Sequence, residues 1–131
     1  MSTKIEIQRI ESNEQLRLDC LAGYGVIVDH PICAEALRLA NNLLVDSMDA
    51  TGLNAELVNQ LGRSLASIAA NFAEGHGRST LQDKIRFLRM ARGSAYESIC
   101  HARIYYIEES SEIRDIQNLA VILDSYIIRL I

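Results

Sequence analysis

From Pro31 to Ile131 the apolar positions recur every three or four residues, the spacing that turns one face of an α-helix toward a core. Four such stretches can be separated. The first opens with Pro31, tolerated in a helix's first turn, and runs through Cys33, Leu37, Ala40, Leu44 and Met48 before Thr51-Gly52 ends it. The second carries Leu53, Leu57, Leu61, Leu65, Ile68 and Phe72, with Ala66, Ala69, Ala70 and Ala73 small enough to admit a neighbouring helix. Gly75 predicts its stop, in the left-handed conformation. The third and longest opens at Thr80, paired with Asp83 in the manner of a capping box, and lines up Leu81, Leu88, Ala91, Ala95, Ile99, Ala102 and Tyr106. The fourth starts at Ser110-Ser111, with Glu112 and Asp115 at the positive end of the helix dipole; its inner stripe is Ile113, Ile116, Ala120, Leu123, Ile127 and Leu130.

This pattern predicts an all-α protein, an antiparallel up-and-down four-helix bundle over residues 30–131, preceded by a short N-terminal extension over residues 1–29. The extension reads differently. Lys4-Ile5-Glu6-Ile7-Gln8 alternates like a strand, and Gly23-Tyr24-Gly25 precedes the β-branched run Val26-Ile27-Val28. A chain of 131 residues suits one domain, and 46 of them are Ala, Leu or Ile, while Pro31 is the one proline. That composition favours helices over a many-turned β-sandwich. No window approaches the roughly 18 apolar residues of a membrane span, and no basic segment leads into an apolar run at the N-terminus. The expectation is a cytoplasmic protein without a membrane contact. Cys20, Cys33 and Cys100 lie far apart with no CxxC pair, and read as reduced thiols.

The fourth helix is apolar beyond one stripe: 10 of the 13 residues from Leu119 to Ile131 are apolar. A lone bundle would leave part of that surface in water, so the expectation is a homo-oligomer held partly through this helix, the alternative being that residues 1–29 fold over it.

Net charge is −4, an acidic balance that alone argues against coating nucleic acid. The distribution changes the picture. Residues 63–103 hold seven of the 13 basic groups and three of the 17 acids. Arg89, Arg92, Tyr96 and Arg103 fall within about 60° on a helical wheel, with Arg78 joining if the helix reaches back, and Arg86 and Lys84 as outliers. Such a stripe suits phosphates, with Tyr96 placed to stack on a base. The plainer reading is a solvated face that pairs with acids of a neighbouring subunit. Glu74-Gly75-His76-Gly77-Arg78 suits either an anion-binding backbone nest or, more simply, a helix end and a tight reversal. Glu97 with His101, and His30 with Cys33, have helical spacing but reach no metal set, so neither a metal nor a cofactor is expected. His101 reads as a partly buried side chain satisfied by a neighbour. No nucleophile elbow or phosphate-binding loop occurs, and the chain carries no enzyme signature.

Two ordered blocks, Arg63-Ser64-Leu65-Ala66-Ser67-Ile68-Ala69-Ala70-Asn71-Phe72-Ala73-Glu74-Gly75-His76-Gly77-Arg78 and Phe87-Leu88-Arg89-Met90-Ala91-Arg92-Gly93-Ser94-Ala95-Tyr96-Glu97, resemble the bacterial four helix bundle protein family known from open reading frames in intervening sequences of 23S ribosomal RNA. The resemblance implies an antiparallel bundle assembling as a ring, often a homopentamer. It also implies kinship with the accessory variability proteins of diversity-generating retroelements, which bind nucleic acid and a reverse transcriptase through a basic surface. Matched positions carry architectural expectations. Asn71 and Glu74 would bond across to the third helix around Gly75 and Gly77. Gly93 and Ser94, costly in helix propensity, would mark a close crossing, and Glu97 would pair with Arg63 or Arg78 across the interface. The expected function is a non-catalytic RNA- or nucleoprotein-binding module using Arg78, Lys84, Arg86, Arg89, Arg92, Tyr96 and Arg103. The alternative is a structural or protein-interaction scaffold.

Overall fold

The structure, a computed structural model, describes residues 27–106 and 110–131. The strand-like Lys4–Gln8, Gly23-Tyr24-Gly25 and Cys20 lie outside the described residues. Val26 of the β-branched run lies outside them too, and Ile27 and Val28 enter, with Asp29, one turn of 3-10 helix, Ile27–Asp29. Four helices follow: α1 Pro31–Asp46, α2 Gly52–His76, α3 Leu81–Tyr105 and α4 Ser111–Leu130, with no strand among the described residues. Short connections join helices that pack on one another, so the bundle runs up and down with antiparallel neighbours; α2 and α3 share the most extensive contact.

Helix α1 is anchored by its N-cap. His30 is 1% exposed, and its Nδ1 accepts the Ile32 N–H at 3.2 Å. With Nδ1 an acceptor, the neutral ring carries its proton on Nε2, which donates to the Tyr126 hydroxyl of α4 at 2.6 Å. The ring also lies 4.7 Å from that of Phe72 on α2, so one imidazole ties three helices. Burial, and secondarily His76, pushes its pKa down from 6.5 to about 4.

The stripe expected along α1 is displaced by one position. Ile32, Cys33, Ala36, Leu39 and Leu43 are buried, Leu37 and Ala40 only partly, while Leu44 and Met48 face water. The helix stops at Asp46, short of Thr51-Gly52. The misreading has a physical cause: the true inner face includes Glu35, 2% exposed, which an apolar count passes over. Arg38 neutralises it, donating from Nε and Nη2 at 2.7 and 3.0 Å, and reaches Asp115 of α4 at 3.1 Å. The Glu35 hydrogen bond raises the Arg38 pKa, against the pull of burial.

Helix α2 starts from Gly52 at φ +59, a left-handed turn that suits glycine. Val58, Leu61, Leu65, Ile68, Ala69 and Phe72 are buried, whereas Leu53, expected inside, is exposed. Gly75 corrects the expectation of a left-handed stop. It is helical, the helix runs on to His76, and its role is closeness: a Cβ there would lie 2.9 Å from Phe87 Cβ and 3.2 Å from the Lys84 carbonyl oxygen. Gly77 caps the helix at φ −83, a conformation open to any residue. At α3, Thr80 Oγ1 accepts the Asp83 N–H as expected, at 3.1 Å. Leu88, Ala91, Ala95 and Ala102 are buried, but Leu81, at the helix start, is 41% exposed. Ser110 Oγ caps α4 by accepting the Ile113 N–H at 3.3 Å. Within α4 the surplus apolar surface is largely absorbed: Leu119, Ile122 and Tyr126 are buried beside the expected stripe, leaving Val121, Ile128 and Ile131 outside.

The two glycines of the resemblance blocks should respond oppositely to alanine. Gly93 is exposed with nothing within 4 Å of its Cβ position, so Gly93→Ala should stabilise by about 0.5–1 kcal/mol through helix propensity. Gly75→Ala must displace Phe87 and should destabilise by about 1–3 kcal/mol; urea unfolding of both variants measures the pair. His30 should make stability fall with acid. Its folded pKa, about 4, lies below 6.5, so as pH drops through that window the unfolded chain takes a proton that buried His30 refuses. His30→Asn keeps a cap acceptor without the titration. The stability gap between wild type and variant should narrow by roughly 3 kcal/mol from pH 7 to pH 4, read from urea midpoints.

Candidate functional site

Helix α3 runs unbroken from Leu81 to Tyr105, so Lys84, Arg86, Arg89, Arg92 and Arg103 lie on one rod, whereas the helix does not reach back to Arg78, which sits in the α2–α3 connection. Their surroundings divide them. Lys84 is 6% exposed and donates from Nζ to the His76 carbonyl at 2.8 Å, holding the end of α2 to the start of α3. Arg92 donates to Asp124 of α4 at 2.9 Å, and the Tyr96 hydroxyl donates to the other oxygen of that carboxylate at 2.9 Å. That bond, with some desolvation, raises the Tyr96 pKa. Arg78 pairs with Glu74 at 2.8 Å, and Arg78 and Arg86 each stack 4.5 Å from the centre of the Phe87 ring. Arg86 also lies 3.6 Å from Asp83. Arg89 is exposed and takes no part in the ion pairs among the described residues. It borders, with Gln82, Asp83, Arg86 and Met90, an open depression of about 680 Å³. Arg103 is exposed near the far end of the helix and keeps an interaction of its own. Thus Lys84 is structural, Arg92 and Tyr96 are held by α4, and Arg86 and Arg89 are the pair most open to a partner.

Asp124 is what reading the stripe alone missed. It is the sole acid between Leu119 and Ile131, and Arg92 and Tyr96 stand one helical turn apart, the spacing that lets both reach one carboxylate.

Between α2 and α3 lies a second polar array. Ser67 and Ser94 hydroxyls are 2.8 Å apart, Ser98 Oγ donates to Ser64 Oγ at 2.8 Å, and Asn71 Nδ2 donates to the Ser67 carbonyl and hydroxyl, each at 3.0 Å. Ser94 therefore marks the close crossing as expected, but Gly93 does not; it faces away from α2 into open space. Asn71 and Glu74 bond within their own segment and not across to α3, because Ser67 stands between Asn71 and Ser94, and Arg78 captures Glu74. Glu97 is likewise paired with His101, at 3.3 Å, and with neither Arg63 nor Arg78. Helical spacing favours that neighbour one turn away. Gln60, Arg63, Ser64, Ser67, Glu97 and His101 line an open groove of about 440 Å³ above this array.

Of the thiols, Cys33 is buried against the Ala69 carbonyl, Sγ 3.7 Å from the oxygen, and burial raises its pKa; Cys100 is exposed. Among the described residues no group of His, Cys, Asp or Glu is arranged to hold a metal, and no helix is long and apolar enough to cross a membrane.

Comparison with curated proteins and with solved structures finds no match. Comparison with protein families finds one, described as 23S rRNA-intervening sequence protein, over residues 32–128, a span that takes in all but the edges of the four helices. This chain therefore belongs to the 23S rRNA-intervening sequence protein family.

Proposed function

We propose that this protein is a non-catalytic, cytoplasmic, self-associating bundle that serves as a docking module, with the outer face of α4 as its lateral contact. One observation carries the reading. Val121 and Ile128 are 56% and 70% exposed, two turns apart on α4, with Asp124 between them on the same side and Tyr96, 47% exposed, tethered to it. They form one apolar patch whose polar member is already paired, so covering it buries apolar surface without stranding a charge. A patch of this kind that meets a different face of the next copy closes into a ring, and the pentamer implied by the family resemblance is the form we propose.

A second reading, RNA binding, rests on Arg86 and Arg89 beside their open depression. One such pair is a weak phosphate site, but a ring repeats it around its circumference, and multivalency compensates for the acidic balance of the chain.

Light scattering of the purified protein should give a particle several times the 14.6 kDa of one chain. Val121→Lys with Ile128→Lys should bring the mass at the dilute end of a concentration series down to that of one chain while helical circular dichroism is kept; a wild-type protein of single-chain mass at every concentration overturns the self-association reading. Titration with a structured RNA decides the second reading. Binding that falls steeply between low and physiological salt, and is weakened further in Arg89→Glu at unchanged particle mass, supports it. A particle that ignores RNA at both salts removes it.

A further inference from the structure

The two ends of the bundle differ in their balance of charge, one leaning acidic and the other basic, and each exposes apolar side chains. At the end formed by the α1–α2 connection, Leu44, Val45, Met48 and Leu53 are 57, 66, 80 and 73% exposed. Four large apolar residues left in water within ten positions are far more than scattered surface exposure supplies. The turn that bears them is well defined: the Ser47 hydroxyl and N–H both donate to the Leu43 carbonyl, Ala50 N–H donates to the Ser47 carbonyl at 2.9 Å, and Gly52 takes the left-handed conformation. Around them stand Asp46, Asp49 and Glu56, all exposed and none in an ion pair among the described residues; with half-buried Glu112 they outnumber Arg103 and Arg114, the exposed arginines that the end of α3 and the start of α4 bring to this pole.

The opposite end is built from the start of α3 and the end of α4. Leu81 and Ile131 are 41% and 78% exposed there. Arg86 lies 3.6 Å from Asp83 and Arg78 pairs with Glu74, which leaves Arg129, with Arg89 two turns into α3, as the exposed cations outside the ion pairs among the described residues, against exposed Asp29. An apolar acidic surface and an apolar basic surface thus sit at opposite poles of one rod about 37 Å long, the rise of a 25-residue helix.

We infer that the acidic apolar end of one copy docks on the basic apolar end of another, head to tail. Charge selects this arrangement over its rivals. Two acidic ends facing each other would bring Asp46, Asp49 and Glu56 against their own copies, and an anionic membrane would be repelled in the same way. The basic end supplies both what the apolar side chains need and the counter-charge. The contact is heterologous and leaves each copy with one free pole of either kind, so it stacks copies, or rings of copies, along the bundle axis. It goes beyond the lateral reading and uses neither Val121 nor Ile128.

Four full-length proteins test it: wild type; an acidic-end block, Met48→Lys with Leu53→Lys; a basic-end block, Leu81→Glu with Arg129→Glu; and a chain carrying both blocks. All the replaced side chains are exposed, and thermal melts confirm that each protein folds. Light scattering over a concentration series reads the outcome. Wild type should grow in mass with concentration, more so at low salt, above the constant mass of the doubly blocked chain. Each single block should match the doubly blocked chain, and an equimolar mixture of the two single blocks should reach about twice that mass and stop, because only one live pole of each kind remains. A basic-end block that grows as wild type does, a mixture that stays at the single-block mass, or a wild type indistinguishable from the doubly blocked chain overturns the inference. The doubly blocked chain separates the two readings: single-chain mass there removes the lateral contact and leaves the axial one standing.

Discussion

The missing Cβ of Gly75 and the small side chains that continue its line decide how close α2 and α3 come. Phe87 Cβ would be 2.9 Å from any side chain at Gly75, and farther along the crossing Ser64, Ser67, Ser94 and Ser98 meet hydroxyl to hydroxyl, with Ala91 and Ala95 buried beside them. Small residues let two backbones approach, and two 25-residue helices held this way form a stiff pair. The remaining elements are referred to that pair. Because Phe87 is pressed against Gly75, its ring faces are open to Arg78 and Arg86, and Lys84 reaches back to the last turn of α2. The groove lined by Arg63, Glu97 and His101 lies over the same crossing.

Helices α1 and α4 join this pair through polar side chains as much as through apolar ones. They share the least contact of any adjacent helices, yet His30 donates to Tyr126 and Arg38 links buried Glu35 to Asp115. An apolar core fixes how much surface is buried, but tolerates a helix sliding by a fraction of a turn; directed hydrogen bonds among buried groups do not. The rotation of α1 follows from them. Placing Leu44 inward, as the apolar count alone would, moves Glu35 and His30 off their partners and leaves both desolvated without compensation.

This explains what the sequence made legible. Helix number, the caps at Thr80 and Ser110, the core of α2 from Leu61 to Phe72 and that of α4 were readable because they follow from period and cap chemistry. The face of α1 was not, since its inner stripe contains a charge and its neighbour stripe does not. At Gly75 the sequence is ambiguous, because a glycine near a helix end signals a left-handed cap and a close approach alike, and only the position of Phe87 tells them apart. Gly93 is the converse, a helical glycine with open space where a partner was expected. The stripe was legible as geometry and illegible as surface: Arg92 and Tyr96 share a side, but Asp124 lies on another helix.

A basic segment in an acidic chain is therefore not yet a basic surface. Folding distributes the charges of residues 78–92 among carbonyls, rings and carboxylates, so Lys84 and Arg92 contribute little to any field felt outside. What survives is set by the antiparallel course of the helices. The acids at the end of α1 and the start of α2 stand at one pole, while Arg129 at the end of α4 stands at the other with Arg86 near the start of α3, the latter shared with Asp83. Paired antiparallel helices largely cancel their backbone dipoles, so this polarity is a property of side chains and responds to substitution residue by residue. Its reach in solution is limited to about 8–10 Å at physiological salt, enough to orient an approaching copy at contact and too short to gather one from a distance.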